Sequence, residues 1–278
     1  MNSTPTPGIG CFSASYPNIV WIPERCSPPP KGAETVGNGN DDSANNVLQG
    51  IATNVHGSFP SLTGYSSECD PSWGCDYYSL QLNTNEFPQS VYGPCGSGQL
   101  WPNGWEQFVL KQQGNVLGSV LFIEYWLIQY HMFCGNCPPN WSQDPLNANN
   151  CFLNSAAATD TNYRDPAHLT NYMLTGNITS TMHSAVFCDS GVTPSCYADT
   201  VGAVLPLYNN WSDTEFGIFG FQGNSQANFN SGVTLGVKVD NNAGSVSCGT
   251  LALTGETNNL NLGSCVASGT AVTISESN

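Results

Sequence analysis

Three side chains stand out as chemically useful in a chain poor in charge: Gln81, Glu124 and Glu215. Each lies in a short run of aromatic, aliphatic and β-branched residues, spanning 77–84, 120–130 and 213–221, a pattern that predicts strands. Side chains alternate across a strand. Gln81 therefore faces away from Tyr78, Leu80 and Leu82, Glu124 away from Leu121, Ile123, Tyr125 and Leu127, and Glu215 away from Phe216 and Ile218. Trp126 and Tyr130 share the side of Glu124, while Asp213, Gly217 and Phe219 share that of Glu215. Amide hydrolysis without a metal or a covalent nucleophile needs a proton acceptor for water, a proton donor for the leaving amine, and donors for the oxyanion. One carboxyl and one carboxamide can supply all three. Alternation thus places Gln81, Glu124 and Glu215 on the wall of one candidate cleft, with Trp126, Tyr130, Asp213 and Phe219 beside them. Glu124 with Glu215 among aromatics also suits a glycoside hydrolase, which needs carboxyls about 5 Å apart for retention or about 6.5–9.5 Å for inversion. A third reading is a non-catalytic carbohydrate-binding or adhesin module.

The elements that must position these residues are short and strand-like. From residue 46 onward, runs rich in Val, Ile, Thr, Tyr and Phe alternate with Gly, Asn and Ser clusters, and 169–179 and 234–239 join the three runs above as the clearest strands. This spacing predicts an all-β domain, a two-sheet antiparallel β-sandwich. Residues 1–45 hold seven prolines between Pro5 and Pro30 and the run Gly37-Asn38-Gly39-Asn40, and are read as an extended N-terminal arm ahead of a 46–278 sandwich domain.

Composition narrows the function further. Five Lys+Arg against 20 Asp+Glu give a formal charge of −15, which excludes a nucleic-acid binder that must displace phosphate counterions. Few carboxylates can be paired, so protonating them at low pH relieves repulsion and suits acidic surroundings. Twelve cysteines imply an oxidising compartment and a disulfide framework. Short loops favour Cys69–Cys75, Cys188–Cys196 and Cys248–Cys265, and Cys11 and Cys26 would tie down the arm. Cys134 and Cys137 form a C-x-x-C that is read as part of this framework rather than as a zinc or redox site. His56, His131, His168 and His183 lack a ligand partner at helical spacing, so no metal or other cofactor is expected. Serine-hydrolase, zincin, P-loop and dinucleotide fingerprints are absent. The longest apolar stretch, 116–128, is broken by Gly118, Ser119 and Glu124, so no membrane insertion is expected. The first residues lack a basic-then-apolar leader, and we expect a secretion signal to have been cleaved from an extracellular, monomeric protein. Asn2, Asn140, Asn177 and Asn210 begin glycosylation sequons, which matter in a eukaryotic host.

Taken in order, Leu80-Gln81-Leu82-Asn83-Thr84-Asn85-Glu86-Phe87, Phe122-Ile123-Glu124-Tyr125-Trp126 and Thr214-Glu215-Phe216 resemble the three site strands of the eqolisin glutamic peptidases. The resemblance implies a concanavalin A-like jelly-roll sandwich, a polypeptide substrate and acid activity. It assigns Glu215 as general base and later acid, and Gln81 as the amide that orients water and donates to the tetrahedral intermediate. Glu124 would tune Glu215 or line the substrate cleft. The cysteine content, the long polar segment after Gln81 and the N-terminal arm depart from the eqolisin pattern. Neprosin-type peptidases use a pair of glutamates on a related sandwich, a role that Glu124 and Glu215 would fill.

Overall fold

A computed structural model describes residues 7–33, 42–46, 50–95, 101–223, 225–250 and 257–278. Asn2 and the run 37–40 lie outside the described residues. Two large sheets dominate. The first has nine strands in the order β2 (Asn18–Glu24), β1 (Gly10–Ser15), β16 (Ser195–Gly202), β15 (Met182–Asp189), β14 (Tyr172–Ile178), β4 (Asn54–Thr63), β19 (Thr234–Asn241), β23 (Ala271–Ser277) and β22 (Asn261–Ser268). The second runs β11 (Ser142–Gln143), β12 (Cys151–Asn154), β10 (Ser119–Ile128), β9 (Asn103–Gln113), β7 (Tyr77–Thr84), β17 (Asp213–Gly220), β3 (Asp42–Asn46) and β20 (Val246–Thr250). Two short strands flank it, β13 (Ala158–Asp160) beside β10 and β8 (Phe87–Pro88) beside β9. A small third sheet holds β21 (Thr257–Asn258), β18 (Gln226–Phe229), β5 (Glu68–Asp70) and β6 (Gly74–Cys75).

The central pairings of both large sheets are antiparallel, and the sheets pack face to face as a sandwich. Leu80, Leu82, Phe108, Leu110, Ile123, Tyr125, Phe216 and Ile218 from one sheet meet Val55, Phe59, Leu174, Ala185, Phe187 and Val237 from the other in one buried cluster. The alternation read from 77–84, 120–130 and 213–221 therefore puts the expected apolar sides into this core. Two glycines let large rings close the gap. A Cβ on Gly57 would collide with the Phe216 ring, and one on Gly176 would sit 2.8 Å from Trp211 and 2.9 Å from Phe108. Trp211 stacks on Phe108 with centroids 5.5 Å apart and planes 19° apart.

Six disulfides staple the chain: Cys11–Cys26, Cys69–Cys75, Cys95–Cys134, Cys137–Cys151, Cys188–Cys196 and Cys248–Cys265. The three local bridges expected from loop length are present, and the C-x-x-C cysteines belong to two different bridges. Among the described residues, no helix is long and apolar enough to cross a membrane.

Three elements differ from the sequence reading. Residues 10–15, 18–24 and 42–45, expected in an extended arm, lie in strands of the two sheets. The Cys11–Cys26 bridge clamps the first hairpin, and Pro23 is tolerated because β2 is an edge strand. The strand expected over 169–179 begins at Tyr172, after a 3-10 turn, Pro166–Asn171, capped by the Asp165 carboxylate accepting from Ala167 N–H. Finally, β10 ends at Ile128 because Gln129 is left-handed (φ 60°), and a short helix, Tyr130–Cys134, follows.

Candidate functional site

The second sheet's outer face carries the chemistry, and its register sets one row across four adjacent strands. Glu124 on β10 lies opposite Gln107 on β9, Gln107 opposite Asn83 on β7, and Asn83 opposite Glu215 on β17. Gln81, one pleat away on β7, is opposite Gly217 and Val109. Phe219 lies one pleat further along β17, opposite Ser79. Gln81, Glu124, Trp126, Glu215 and Phe219 thus share this face, as alternation places them.

A directed chain of amides links them. Trp126 Nε1 donates to Gln107 Oε1 at 2.8 Å. Gln107 Nε2 donates to Gln81 Oε1 at 2.9 Å and to Asn83 Oδ1 at 3.1 Å. Asn83 Nδ2 then donates to Glu215 Oε2 at 2.7 Å and approaches Gln81 Oε1 at 3.4 Å. Gln81 Nε2 donates to Ser79 Oγ at 2.9 Å, and Ser79 Oγ donates to the Gly220 carbonyl at 2.8 Å. Each carboxamide spends its oxygen on the preceding donor and its nitrogen on the next acceptor. One branch of the chain ends on Glu215, through the Asn83 N–H, and the other ends on the Gly220 carbonyl, through Ser79.

The expected geometry needs two revisions. Asn83 stands between Gln81 and Glu215, so the amide touching the carboxylate is Asn83. Glu124 is separated from Glu215 by Gln107 and Asn83, about 14 Å at the backbone for three strand spacings.

The other expected residues divide. Tyr130, expected on the cleft face of a strand, is turned by the left-handed Gln129 and packs against the main core. Asp213 sits at the start of β17, where its Oδ1 accepts from Thr214 N–H at 2.9 Å. Asn83 shares the parity of Gln81 and was visible on that face; its role as the direct partner was not. Gln107 lies in β9, a strand that the sequence did not announce.

The row is covered. Gln81, Asn83, Gln107, Glu124 and Glu215 are each 0% exposed. Part of the cover is the segment 27–33, which crosses the outer face from the β13 side. Ser27 pairs with Ala157 through backbone bonds of 2.8 and 3.0 Å. Asn154 Nδ2 donates to the carbonyls of Pro30 (3.1 Å) and Gly32 (2.9 Å). Ala33 is buried against Trp105, Trp126 and Phe152, and Gly32 lies so close to the Gln222 carboxamide that a Cβ would collide with it. Lys111, on the same face, donates to Gln222 Oε1 at 3.1 Å and lies 4.4 Å from the centre of the Phe221 ring. An open cavity of about 370 Å³ runs along the flank of the segment, between Pro30, Lys31, Asn140, Phe152 and Asn154.

Comparison with protein-family models, curated proteins and solved structures finds no match. The functional reading rests on the geometry alone.

A second polar group lies inside the sandwich. His183 Nδ1 is 2.8 Å from Glu106 Oε2, both fully buried, with the Tyr125 ring 6.2 Å from the imidazole. Burial pushes the Glu106 carboxyl above its ordinary range against the opposing pull of His183. Asp199 is also buried, accepts from Ser155 Oγ at 2.6 Å, and has its carboxyl raised to about 7 by burial. The sulfurs of Cys11 and Cys26 near Asp199 are joined in a disulfide and cannot act as thiolate ligands. This group is enclosed by both sheets and serves the core.

Proposed function

We propose that the chain is a secreted, acid-acting glutamic-type peptidase in which Glu215 and the Gln81 amide carry the reaction. The carrying observation is the directed amide chain that ends on Glu215. Glu215, held by Asn83, takes a proton from water and later returns it to the leaving amine. Gln81 Nε2, satisfied in this conformation by Ser79 Oγ, is the donor for the oxyanion of the tetrahedral intermediate. Substrate reaches the row when the segment 27–33 swings off the Trp105/Trp126 end. The six disulfides support an oxidising, extracellular setting, and an extended polypeptide is the substrate class. Carbohydrate hydrolysis is disfavoured by the two amide-bearing strands between Glu124 and Glu215.

A second reading has its own support: the row's complete burial is what a non-catalytic polar layer would show. One experiment separates the two. Proteolysis of denatured casein is followed from acidic to neutral pH, with pepstatin and a chelator as controls. The peptidase reading expects acid activity resistant to both, and a loss of about 10²–10⁴-fold in Glu215→Gln with the thermal midpoint retained. A wild-type chain inert to casein, or a fully active Glu215→Gln, assigns the row to structure.

A further inference from the structure

The Cys11–Cys26 disulfide has one enclosed sulfur and one accessible sulfur. Cys11 is buried on β1, directly opposite Asp199 on β16, and its Sγ lies 3.7 Å from Asp199 Oδ1. Both sulfurs and an Asp199 carboxylate oxygen fall within 4.8 Å of one another. Cys26, by contrast, is half-buried and lines an open cavity of about 490 Å³ beside Arg25, Pro28 and Ala156. Thiol–disulfide exchange needs a thiolate to reach one sulfur and the other sulfur to leave. Access exists at Cys26, and Arg25, an exposed cation in the same lining, favours an approaching thiolate.

The leaving sulfur is then Cys11, and a bare thiolate in an enclosed, apolar site is unfavourable. The group placed to give it a proton is Asp199. The second oxygen of that carboxyl accepts from Ser155 Oγ at 2.6 Å. Tyr125 of β10 is within electrostatic reach of Asp199, while Glu106 and His183 beyond it are paired with each other. Glu24, the β2 partner of Cys11, is exposed and accepts from Ser13 Oγ at 2.7 Å. Among the described residues, no Lys, Arg or His forms an ion pair with Asp199. Burial therefore holds its carboxyl up at about 7 against the smaller downward pull of Ser155, so the proton is present in acidic surroundings.

We infer that Cys11–Cys26 is a thiol-reducible latch on the segment 27–33, in which Asp199 protonates the departing Cys11 sulfur. A thiolate of a dithiol reductant attacks Cys26 Sγ, and the S–S electron pair leaves on Cys11 Sγ as that sulfur takes the Asp199 proton. The products are a mixed disulfide on Cys26, a Cys11 thiol and an Asp199 carboxylate, which regains a proton from solvent. The second thiol of the reductant, on losing its proton, displaces Cys26, which is protonated in turn. Two electrons pass to the chain, and the reductant becomes a cyclic disulfide. Cys26 leads directly into the strap over the Glu215 row. Ser27 pairs with Ala157, and Ser155, in the same turn, is held by Asp199. One carboxyl thus joins the bridge to the turn that receives the strap. Control of access to Glu215 rests on the peptidase reading, whereas the latch itself is measured without any substrate.

The test treats the full chain with dithiothreitol between about pH 5.5 and about pH 8.5, traps thiols with a maleimide and maps each bridge by mass, dividing rates by the reductant thiolate concentration. For Cys11–Cys26 this corrected rate is expected to rise about tenfold or more as pH falls through about 7. Asp199→Asn keeps the shape but has no proton to give, and should abolish the rise. Ser155→Ala removes the bond that pulls the Asp199 carboxyl down, and should move the rise to higher pH. Cys248–Cys265, whose ladder partners are Ala44 and Ile274, serves as the reference and should show none. A flat corrected rate in the wild-type chain, or an unchanged rise in Asp199→Asn, would overturn the proton donor. The latch is read by amide hydrogen exchange in the double variant Cys11→Ser, Cys26→Ser. Ser27 and Ala157, whose amides bond each other's carbonyls, are expected to exchange about tenfold faster or more, with β7 and β9 unchanged. Unaltered protection at Ser27 and Ala157, or an equal loss in β7 and β9, would overturn the latch.

Discussion

Asn83 and Gln81 carry the same functional group, and only position separates their roles. Asn83 sits in the row of Glu215 and donates to it at 2.7 Å, whereas Gln81 sits one pleat away and reaches Glu215 through Asn83. Removing the direct donor should therefore hurt more than removing a remote one. Asn83→Leu leaves the buried Glu215 carboxyl without this hydrogen bond, and urea denaturation is expected to show a loss of about 1–3 kcal/mol. Trp126→Phe removes only the first donor of the chain, to Gln107, and should lower stability by about 1 kcal/mol. If Asn83→Leu proves the milder of the two, the direction assigned to the amide chain is wrong. The face shared by Gln81, Glu124 and Glu215 was legible from alternation alone. Which neighbour each side chain grips was not, because that depends on the register of non-adjacent segments, and sequence periodicity carries no register. Tyr130 shows the other limit: a single left-handed residue, Gln129, redirected everything after Ile128.

At the level of elements, β9 is the central strand of the site sheet and the one that the sequence concealed. Its two faces read Trp105, Gln107, Val109, Lys111 and Glu106, Phe108, Leu110, Gln112, so polar and apolar residues occur on both. The inward glutamate is accommodated by His183 from the opposite sheet, a partner some eighty positions downstream that no local pattern announces. By contrast, β7, β10 and β17 each keep one clean apolar side and were readable. Breaking the Glu106–His183 pair by His183→Leu would strand a buried carboxyl, and chemical denaturation should report a loss of about 3–5 kcal/mol. The double variant Glu106→Gln, His183→Leu should recover part of it; no recovery would mean that the pair is not coupled. The same layer depends on Gly57, where any side chain meets Phe216. Gly57→Ala is expected to lower stability by about 1–3 kcal/mol through overpacking. Pairing it with Phe216→Leu should soften the effect by making room between the sheets.

For the molecule as a whole, charge and burial point the same way on the pH scale. The chain carries −15 at neutral pH, and protonation relieves that repulsion. Inside the sandwich, burial raises the Asp199 carboxyl to about 7 from its usual 3.8, with the Ser155 hydroxyl pulling weakly the other way. The folded state thus holds this proton more tightly than the unfolded chain. The stability from Asp199 is fully present below about pH 4 and is lost as pH rises through about 7. Glu106 is raised too, again first by burial, and adds to the same slope. Thermal midpoints measured in one buffer series should fall steadily from acidic to neutral pH, a profile suited to acidic surroundings. Asp199→Asn keeps the shape and a hydrogen bond with Ser155 while removing the proton. Its midpoint should equal that of the wild-type chain near pH 4 and exceed it above pH 7. Surface repulsion would respond to added salt, whereas the buried Asp199 contribution, 0% exposed, would not, because mobile ions screen exposed charges far better than enclosed ones. A wild-type profile that flattens completely in high salt, or an Asn variant with an unchanged slope, would remove Asp199 as the source and leave net charge alone.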